Sequence, residues 1–177
     1  MANSNSITNF KKGFNGGTRS NRFEVKIVDG WPGMPPATND TTFKIVATQF
    51  PIAQVNTITI PYRGRPVNYA GDRQYSPWSI TVYDDSNTNN LWKSFNRWKE
   101  LMDGHKTHVS QDYTHRTLQK KWEIYQYDMN GAIIRHVQLQ KCWPSVVSQI
   151  DLNMSSTDLV SFTVQMVFDK INYVKGI

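Results

Sequence analysis

Cysteine is almost absent from this chain, since Cys142 is the only one among its 177 residues. A single cysteine excludes intrachain disulfides, and the sequence therefore predicts synthesis in a reducing compartment. No uninterrupted apolar run reaches the roughly 18 residues that a membrane-spanning helix needs. The opening residues, MANSNSITNFKKGF, also lack the apolar segment of a secretory signal, so neither membrane insertion nor secretion is expected.

Catalytic motifs are missing as well. The sequence contains no Gly-x-Ser-x-Gly elbow, no Walker phosphate loop and no Gly-x-Gly-x-x-Gly turn. Asp84 and Asp85 precede a predicted helix, so we interpret them as cap and first-turn charges instead of paired catalytic carboxylates. Cys142 would need a histidine beside it to act as a nucleophile, and nothing in the sequence predicts one. The chain is therefore predicted not to be an enzyme and to use no cofactor.

Three histidines, His105, His108 and His115, share one polar loop, and the first two form a His-x-x-His pair. A zinc site needs further ligands at a suitable spacing, and this loop supplies neither cysteine nor glutamate. We interpret the loop as a solvated segment and predict no metal site.

The basic residues give a formal net charge of +6. Such a balance is typical of nucleic-acid-binding proteins when the basic residues cluster. Here the densest stretch, residues 116–121, holds three of them, and Arg63, Arg65 and Arg73 fall in predicted turns. The sequence therefore favours a diffuse basic surface over a dedicated nucleic-acid patch.

Alternation of apolar and polar residues dominates the chain and indicates a mainly β fold. The segments RFEVKIVD, TTFKIVATQF, VNTITIPYRG and WSITVYDD each predict a strand. KKWEIYQYDMNGAIIRHVQLQ predicts a hairpin with a two-residue loop at Asn130-Gly131. Residues 146–154 and 159–168 predict two final strands.

One amphipathic helix is predicted over residues 91–102, because apolar residues recur at helical spacing until Gly104. Its stripe carries two tryptophans, so the helix is expected to lie against the sheet. Together the helix and the two best-defined strands predict a core of Trp78, Ile80, Val82, Trp92, Phe95, Trp98, Phe162 and Val164.

The first 20 residues are rich in Asn, Ser, Thr and Gly, which favours an arm, and residues 21–177 are predicted to form a single domain. Ile7, Phe10 and Phe14 fall at helical spacing within this arm. The arm docks on a neighbouring subunit in one interpretation and is a disordered tail in the other.

Four segments together resemble the tail tube proteins of contractile-tailed bacteriophages. They are NRFEVKI, ATQFPIAQVNTITIPYRGRPVNYAGDR, AGDRQYSPWSITVYDD and KCWPSVVSQIDLNMSSTDLVSFTVQMVFD, which overlap at the AGDR turn and span about residues 21–171. Each segment alone is common, but their order and spacing are specific. Type VI secretion tubes and phage-like bacteriocin tubes share the fold of that family.

The resemblance implies an antiparallel β-sandwich or barrel with one flanking α-helix. Subunits would form hexameric rings, join their strands into a continuous barrel wall and stack into a hollow tube for DNA ejection. Implied partners are further copies of the chain, the tail sheath protein, the baseplate and tail terminator proteins, and genomic DNA in transit without sequence specificity. No small-molecule substrate is implied. The implied location is the virion tail, after synthesis in the host cytoplasm.

Polar residues that alternate with the core are the candidate lining of the lumen. They are Ser79, Thr81, Gln149, Asp151, Asn153, Ser161, Thr163 and Gln165, with Thr57 and Thr59 as further candidates. Their alternative is ordinary exposure to solvent on a monomer. Because each phosphate bound by Lys or Arg adds affinity through counterion release, the excess positive charge is expected to point away from the lumen. Gly71, Asp72 and Arg73 are predicted to form a turn, with positive φ at Gly71.

Other functions remain open at this point. The same fold would serve as the inner tube of a type VI secretion or bacteriocin-like machine, or as a baseplate tube initiator. A β-sandwich that binds carbohydrate or nucleic acid through Trp and Tyr is a further alternative. Against it, Trp78 alternates with core residues, and Trp92 and Trp98 lie on the apolar stripe of the helix.

Overall fold

The computed structural model describes residues 7–14, 17–30, 44–84, 91–104 and 117–176. The described elements are α1 (Ile7–Phe14), β1 (Phe23–Ile27), β2 (Ile45–Thr48), β3 (Ala53–Tyr62), β4 (Arg65–Tyr75), β5 (Trp78–Tyr83), α2 (Leu91–Met102), β6 (Lys120–Tyr127), β7 (Ile133–Val147), β8 (Ser161–Val167) and β9 (Lys170–Lys175). The predicted helix and mainly β composition are confirmed, and α1 is a second helix. Asp85, His105, His108 and His115 lie outside the described residues.

Seven strands form one antiparallel sheet in the order β1-β6-β7-β8-β5-β2, and β9 also pairs with β7. The long strand β7 belongs to both halves of this sheet. Its residues 133–142 pair with β6, whereas residues 143–147 pair with β8. Lys141 has a φ of 57° at the change of partner. A strand that bends between two halves of a sheet lets them pack face to face, which is the geometry of a sandwich.

Aromatic side chains fill the space between the two halves. Trp78 of β5 meets Trp122 of β6 edge-on, with ring centroids 5.5 Å apart. From α2, Phe95 reaches both Trp122 and Phe162, at 6.5 Å and 6.2 Å between centroids. Such ring pairs add to the large apolar area that each side chain buries. The helix is thus anchored to both halves of the sheet through one residue.

Seven of the eight predicted core residues are almost fully buried, and Trp92 is the exception. Trp92 packs against the core but stays partly exposed, and its indole N–H donates to the carbonyl of Ser148 at 3.3 Å. An indole at the edge of a core can bury its rings while its N–H finds a partner. Trp98 lies inside the core, and its indole N–H is also satisfied, because it donates to the carbonyl of Leu118 at 2.8 Å.

The predicted two-residue loop at Asn130-Gly131 is wrong in length. Strands β6 and β7 are joined by residues 128–132, where Gly131 has a φ of 83°. The Asp128 carboxylate accepts hydrogen bonds from the backbone N–H groups of Asn130 and Ala132, both at 2.8 Å. An aspartate that bonds to the backbone just after it favours a longer, self-contained loop.

The predicted turn at Gly71, Asp72 and Arg73 is also wrong, because all three lie within β4. Gly71 is not among the glycines with positive φ. Its position coincides with a bulge: between the pairs Val55↔Arg73 and Thr57↔Ala70, β4 has two residues where β3 has one. A bulge accommodates a glycine inside a strand without reversing the chain. The sequence pattern around such a glycine is the same as that of a turn, and it therefore predicted a turn here.

The predicted strand over residues 146–154 ends early, at Val147, and β8 begins only at Ser161. Residues 148–160 form a loop with local bonds of its own. The Asn153 side chain accepts from the N–H of Ser155 at 2.9 Å, and the Ser156 hydroxyl accepts from the N–H of Asp158 at 3.1 Å. Short polar side chains that bond to nearby backbone compete with strand pairing, which explains the early end.

Candidate functional site

The outward side of β5 and β8 is a continuous polar surface. Trp78, Ile80 and Val82 point into the core, and the residues between them point out. Strand pairing sets Ser79 opposite Gln165, Thr81 opposite Thr163 and Tyr83 opposite Ser161, and all six are partly or fully exposed. We call these six residues the uncharged face, because none carries a charge.

The other predicted lining residues lie in a loop instead of on a strand. Gln149, Asp151 and Asn153 are exposed in the loop of residues 148–160, beyond the end of β7. The same loop exposes three large apolar side chains, Leu152, Met154 and Leu159. The 148–160 loop is therefore a separate surface with both acidic and apolar character.

The hairpin of β3 and β4 forms a two-stranded sheet of its own, and its residues are exposed along most of both strands. Its register places one set of paired residues on a single face: Ile58 opposite Tyr69, Ile60 opposite Val67, and Tyr62 opposite Arg65. All five apolar or aromatic members of this set are exposed, from 37% at Val67 to 61% at Tyr62. A row of exposed apolar side chains on one face is typical of a surface that contacts another molecule.

The opposite face of the hairpin mixes polar residues with Val55, Pro61 and Pro66. Thr57 pairs with Ala70, and Thr59 pairs with Asn68, whose side-chain oxygen accepts from the Thr59 hydroxyl at 2.9 Å. The two threonines predicted as further lining candidates therefore lie on this opposite face of the hairpin. The alternation that predicted a strand was correct, but alternation does not say which molecule covers the apolar side.

Helix α1 is an amphipathic element without a buried residue. Ile7, Phe10 and Phe14 are 71%, 64% and 57% exposed, and the two phenylalanine rings stack at 5.3 Å between centroids. A short helix of this kind gains little stability alone, because most helical stability comes from packing of the apolar face. Ile7, Phe10 and Phe14 thus form a small exposed apolar surface on α1, and the docking of the arm stays a prediction.

A polar cluster on the outer side of β6 and β7 is the main electrostatic feature of the described residues. Glu123 is only 9% exposed. Its carboxylate accepts from the hydroxyl of Tyr125, from Gln138 at 2.9 Å and from Lys121 at 3.0 Å. The His136 imidazole lies 3.5 Å from the second carboxylate oxygen. The sequence did not predict this cluster, because its members come from two strands. In each strand they are simply the polar residues that alternate with apolar ones.

Opposing effects set the ionisation of this cluster. Burial alone would raise the pKa of Glu123, but hydrogen bonds from Tyr125 and Lys121 and the charges of Lys121 and His136 outweigh it, so the pKa is lowered. Burial and the bond to Glu123 raise the pKa of Tyr125. The cluster is thus held as an ionised carboxylate with protonated donors, which stabilises the pairing of β6 and β7.

The cysteine, which could react chemically, is shielded from solvent. Cys142 is fully buried, and burial raises the pKa of its thiol far from the range of a reactive thiolate. Within the described ranges, no group of three or more His, Cys, Asp or Glu side chains is arranged to hold a metal ion. No helix among those residues combines the length and apolar character required to cross a membrane.

Comparison with known sequences gives one family. The model of the phage tail tube protein family matches residues 18–174. The tail tube protein gp19 of Enterobacteria phage T4 is 24% identical over 153 residues, which cover 85% of this chain and 88% of that protein. The tail tube protein of Serratia phage KSP90 is 26% identical over 144 residues, covering 79% and 78% of the two chains.

Comparison with solved structures gives the same fold. A chain from the sheath-tube complex of an extracellular contractile injection system, PVC, superposes with a TM-score of 0.61 at 12% identity, covering 97% of this chain and 99% of that one. A chain from the baseplate of the anti-feeding prophage superposes with a TM-score of 0.63 at 10% identity, covering 89% and 95%. At these identities the likeness concerns the fold.

Proposed function

The chain belongs to the phage tail tube protein family, and we propose that it is the structural subunit of a phage tail tube, with no catalytic activity. Copies assemble as hexameric rings, and the rings stack into a hollow conduit in the virion tail through which DNA leaves the particle. The observation that carries this proposal is the uncharged face of β5 and β8. It joins a fully apolar inner side to an outer side without any charge.

The uncharged face suits the wall of a DNA conduit for an electrostatic reason. Each Lys or Arg that contacts a phosphate adds binding affinity through counterion release. Repeated in every ring, such contacts would retain DNA instead of letting it pass. Hydroxyl and amide groups stay hydrated and supply no such attraction, so we propose that this face lines the lumen.

The open edges of the same half-sheet support assembly. Strand β2 and residues 143–147 of β7 are the two ends of the four-stranded half, and the described residues supply no further strand to either. Exposed strand edges are prone to uncontrolled pairing, and closing a barrel removes them. We propose that these edges join between neighbouring copies, so that every subunit contributes strands to one wall.

The outer surfaces fit the remaining partners. A PVC structure contains sheath and tube together, and we propose that the side opposite the uncharged face, which includes α2, meets a tail sheath protein. Baseplate and terminator proteins would contact the two ends of the tube. The sequence relatives are phage tail tube proteins, which favours a virion tail over the inner tube of a type VI secretion or bacteriocin-like machine.

The buried tryptophans do not support a carbohydrate-binding module, although Tyr62 and Tyr69 are exposed. Trp78, Trp98 and Trp122 are fully buried and unavailable for stacking on a sugar. Negative-stain electron microscopy of the purified chain tests the proposal. Hollow tubes or six-fold rings are expected, and a protein that stays monomeric at high concentration would contradict it.

A further inference from the structure

The loop between β6 and β7 contains an asparagine followed by a glycine, Asn130-Gly131, and the proposed function makes no use of this pair. Both residues are exposed. Gly131 has a φ of 83°, and no atom lies within 4 Å of the position that a Cβ atom would take there. Because glycine has no side chain, its backbone nitrogen is open to approach from the side chain of Asn130.

Hydrogen bonds hold the backbone of this loop but leave the nitrogen of Gly131 nearly free. The Asp128 carboxylate accepts from the N–H groups of Asn130 and Ala132, both at 2.8 Å. The N–H of Gly131 donates to the carbonyl of Asp128 at 3.4 Å, which is longer than the roughly 3 Å of an ordinary bond between these groups. Little energy is therefore needed to turn this nitrogen towards the neighbouring side chain.

Other asparagines are held more firmly. In β4, the side-chain oxygen of Asn68 accepts from the Thr59 hydroxyl at 2.9 Å, and in the 148–160 loop that of Asn153 accepts from the N–H of Ser155 at 2.9 Å. The residues that follow these two asparagines, a tyrosine and a methionine, also crowd the backbone nitrogen. Among the asparagines that the structure describes, Asn130 alone precedes a glycine.

We propose that Asn130-Gly131 is a site of spontaneous modification, at which Asn130 converts to aspartate and isoaspartate. The Gly131 nitrogen attacks the side-chain carbonyl carbon of Asn130 and gives up its proton, and the side-chain amide leaves as ammonia. The product is a cyclic succinimide. Water then opens the ring at one of its two carbonyls. One opening gives aspartate, and the other gives isoaspartate, in which the backbone runs through the former side chain.

The modification changes a loop to which the start of the sandwich is anchored. The Arg22 guanidinium donates to the carbonyls of Asp128 and Met129, at 3.0 Å and 2.9 Å. The N–H of Tyr127 donates to the carbonyl of Arg22 at 2.9 Å. Both products place a second carboxylate close to that of Asp128, and like charges repel. Isoaspartate also adds a carbon atom to the backbone before Ala132, so the aged chain should melt at a lower temperature.

Ageing the purified chain tests the chemistry independently of tube formation. The chain is incubated at neutral pH in water enriched in heavy oxygen, moved to ordinary water, cleaved briefly with trypsin and mapped by mass spectrometry. The peptide of residues 122–135 should give way to two products of equal mass, each with one heavy oxygen atom. The peptide of residues 142–170, which contains Asn153, should keep its mass. A synthetic peptide of residues 122–135 is the unfolded reference, and its conversion while Asn130 of the folded chain stays intact would overturn the proposal.

Asn130→Gln is the matched variant, because glutamine is one carbon longer and closes the corresponding ring far more slowly. Its peptide of residues 122–135 should keep its mass, and conversion as fast as in the original chain would reject Asn130 as the modified residue. The melting temperature should fall on ageing in the original chain and stay constant in Asn130→Gln. Conversion of the original chain without any fall in melting temperature would reject the effect on the loop.

Discussion

Thr81 and Thr163 stand directly opposite each other on β5 and β8. Their neighbours in sequence, Ile80, Val82, Phe162 and Val164, are buried at 2% exposure or less. The pair thus belongs to a surface whose position is fixed by the core behind it. A side chain introduced here points outward from the sheet without disturbing the packing, which makes this pair the best probe of whether the uncharged face lines a lumen.

Placing positive charge at this pair should slow the passage of DNA. Thr81→Lys and Thr163→Lys tubes are expected to form and to retain DNA, with the retention falling steeply as salt is raised, because counterion release drives the binding. Co-sedimentation of tubes with DNA across a salt series measures it. Asn130→Lys, at an exposed position in the loop between β6 and β7, adds the same charge elsewhere. Equal retention in all three variants would place the uncharged face outside the lumen.

Gly71→Ala should destabilise the hairpin, but for a reason other than positive φ. A Cβ atom at this position would lie 3.1 Å from both the carbonyl oxygen of Asn56 and Cγ1 of Ile58. The bulge must shift to admit it, so we expect a cost of about 1 kcal/mol and weaker polymerisation. Gly30→Ala, which follows β1 and meets no atom within 4 Å, is the control. Unfolding and polymerisation that match the original chain would show that the bulge has room.

Removal of residues 1–20 should abolish polymerisation without lowering the melting temperature. Every described residue of α1 is exposed, so its loss removes no core contact. The apolar face of α1 instead contributes stability only when a neighbouring copy covers it. Thermal unfolding and sedimentation of the truncated chain give the two readouts. Normal tubes from the truncated chain would show that the arm has no docking role.

Acid should weaken the sandwich through Glu123. The pKa of this group in the folded chain lies below its ordinary value of 4.5. A lowered pKa contributes stability that is fully present above the ordinary value and is lost as pH falls from there through the folded pKa. Urea unfolding at a series of pH values measures the loss. In Glu123→Gln this part of the pH dependence should disappear, and an unaltered pH profile would exclude Glu123 as its source.

Periodicity predicted the parts of this chain that bury one side against their own core. Strands β5 and β8 and helix α2 follow from alternation and helical spacing, because the aromatic core that they share selects the pattern. Periodicity did not predict the bulge at Gly71 or the 148–160 loop. A glycine in a bulge looks like a glycine in a turn, and local bonds such as that of Asn153 end a strand without changing its alternation.

The surfaces for assembly could be predicted only in part. The hairpin of β3 and β4 alternates like any half-buried strand pair, and only its three-dimensional position shows that Ile58 and Tyr69 are uncovered. The Glu123 cluster depends on register, which brings Gln138 opposite Glu123 from another strand. Pairing across strands is a property of the whole fold, so no local sequence pattern around residue 123 predicts it.

The most direct test of the account is cryo-electron microscopy of the polymer formed by the purified chain. We expect a hollow tube of stacked six-fold rings, with Thr81 and Thr163 facing the central channel. A polymer without a channel, or a tube with Thr81 and Thr163 on its outer surface, would contradict it.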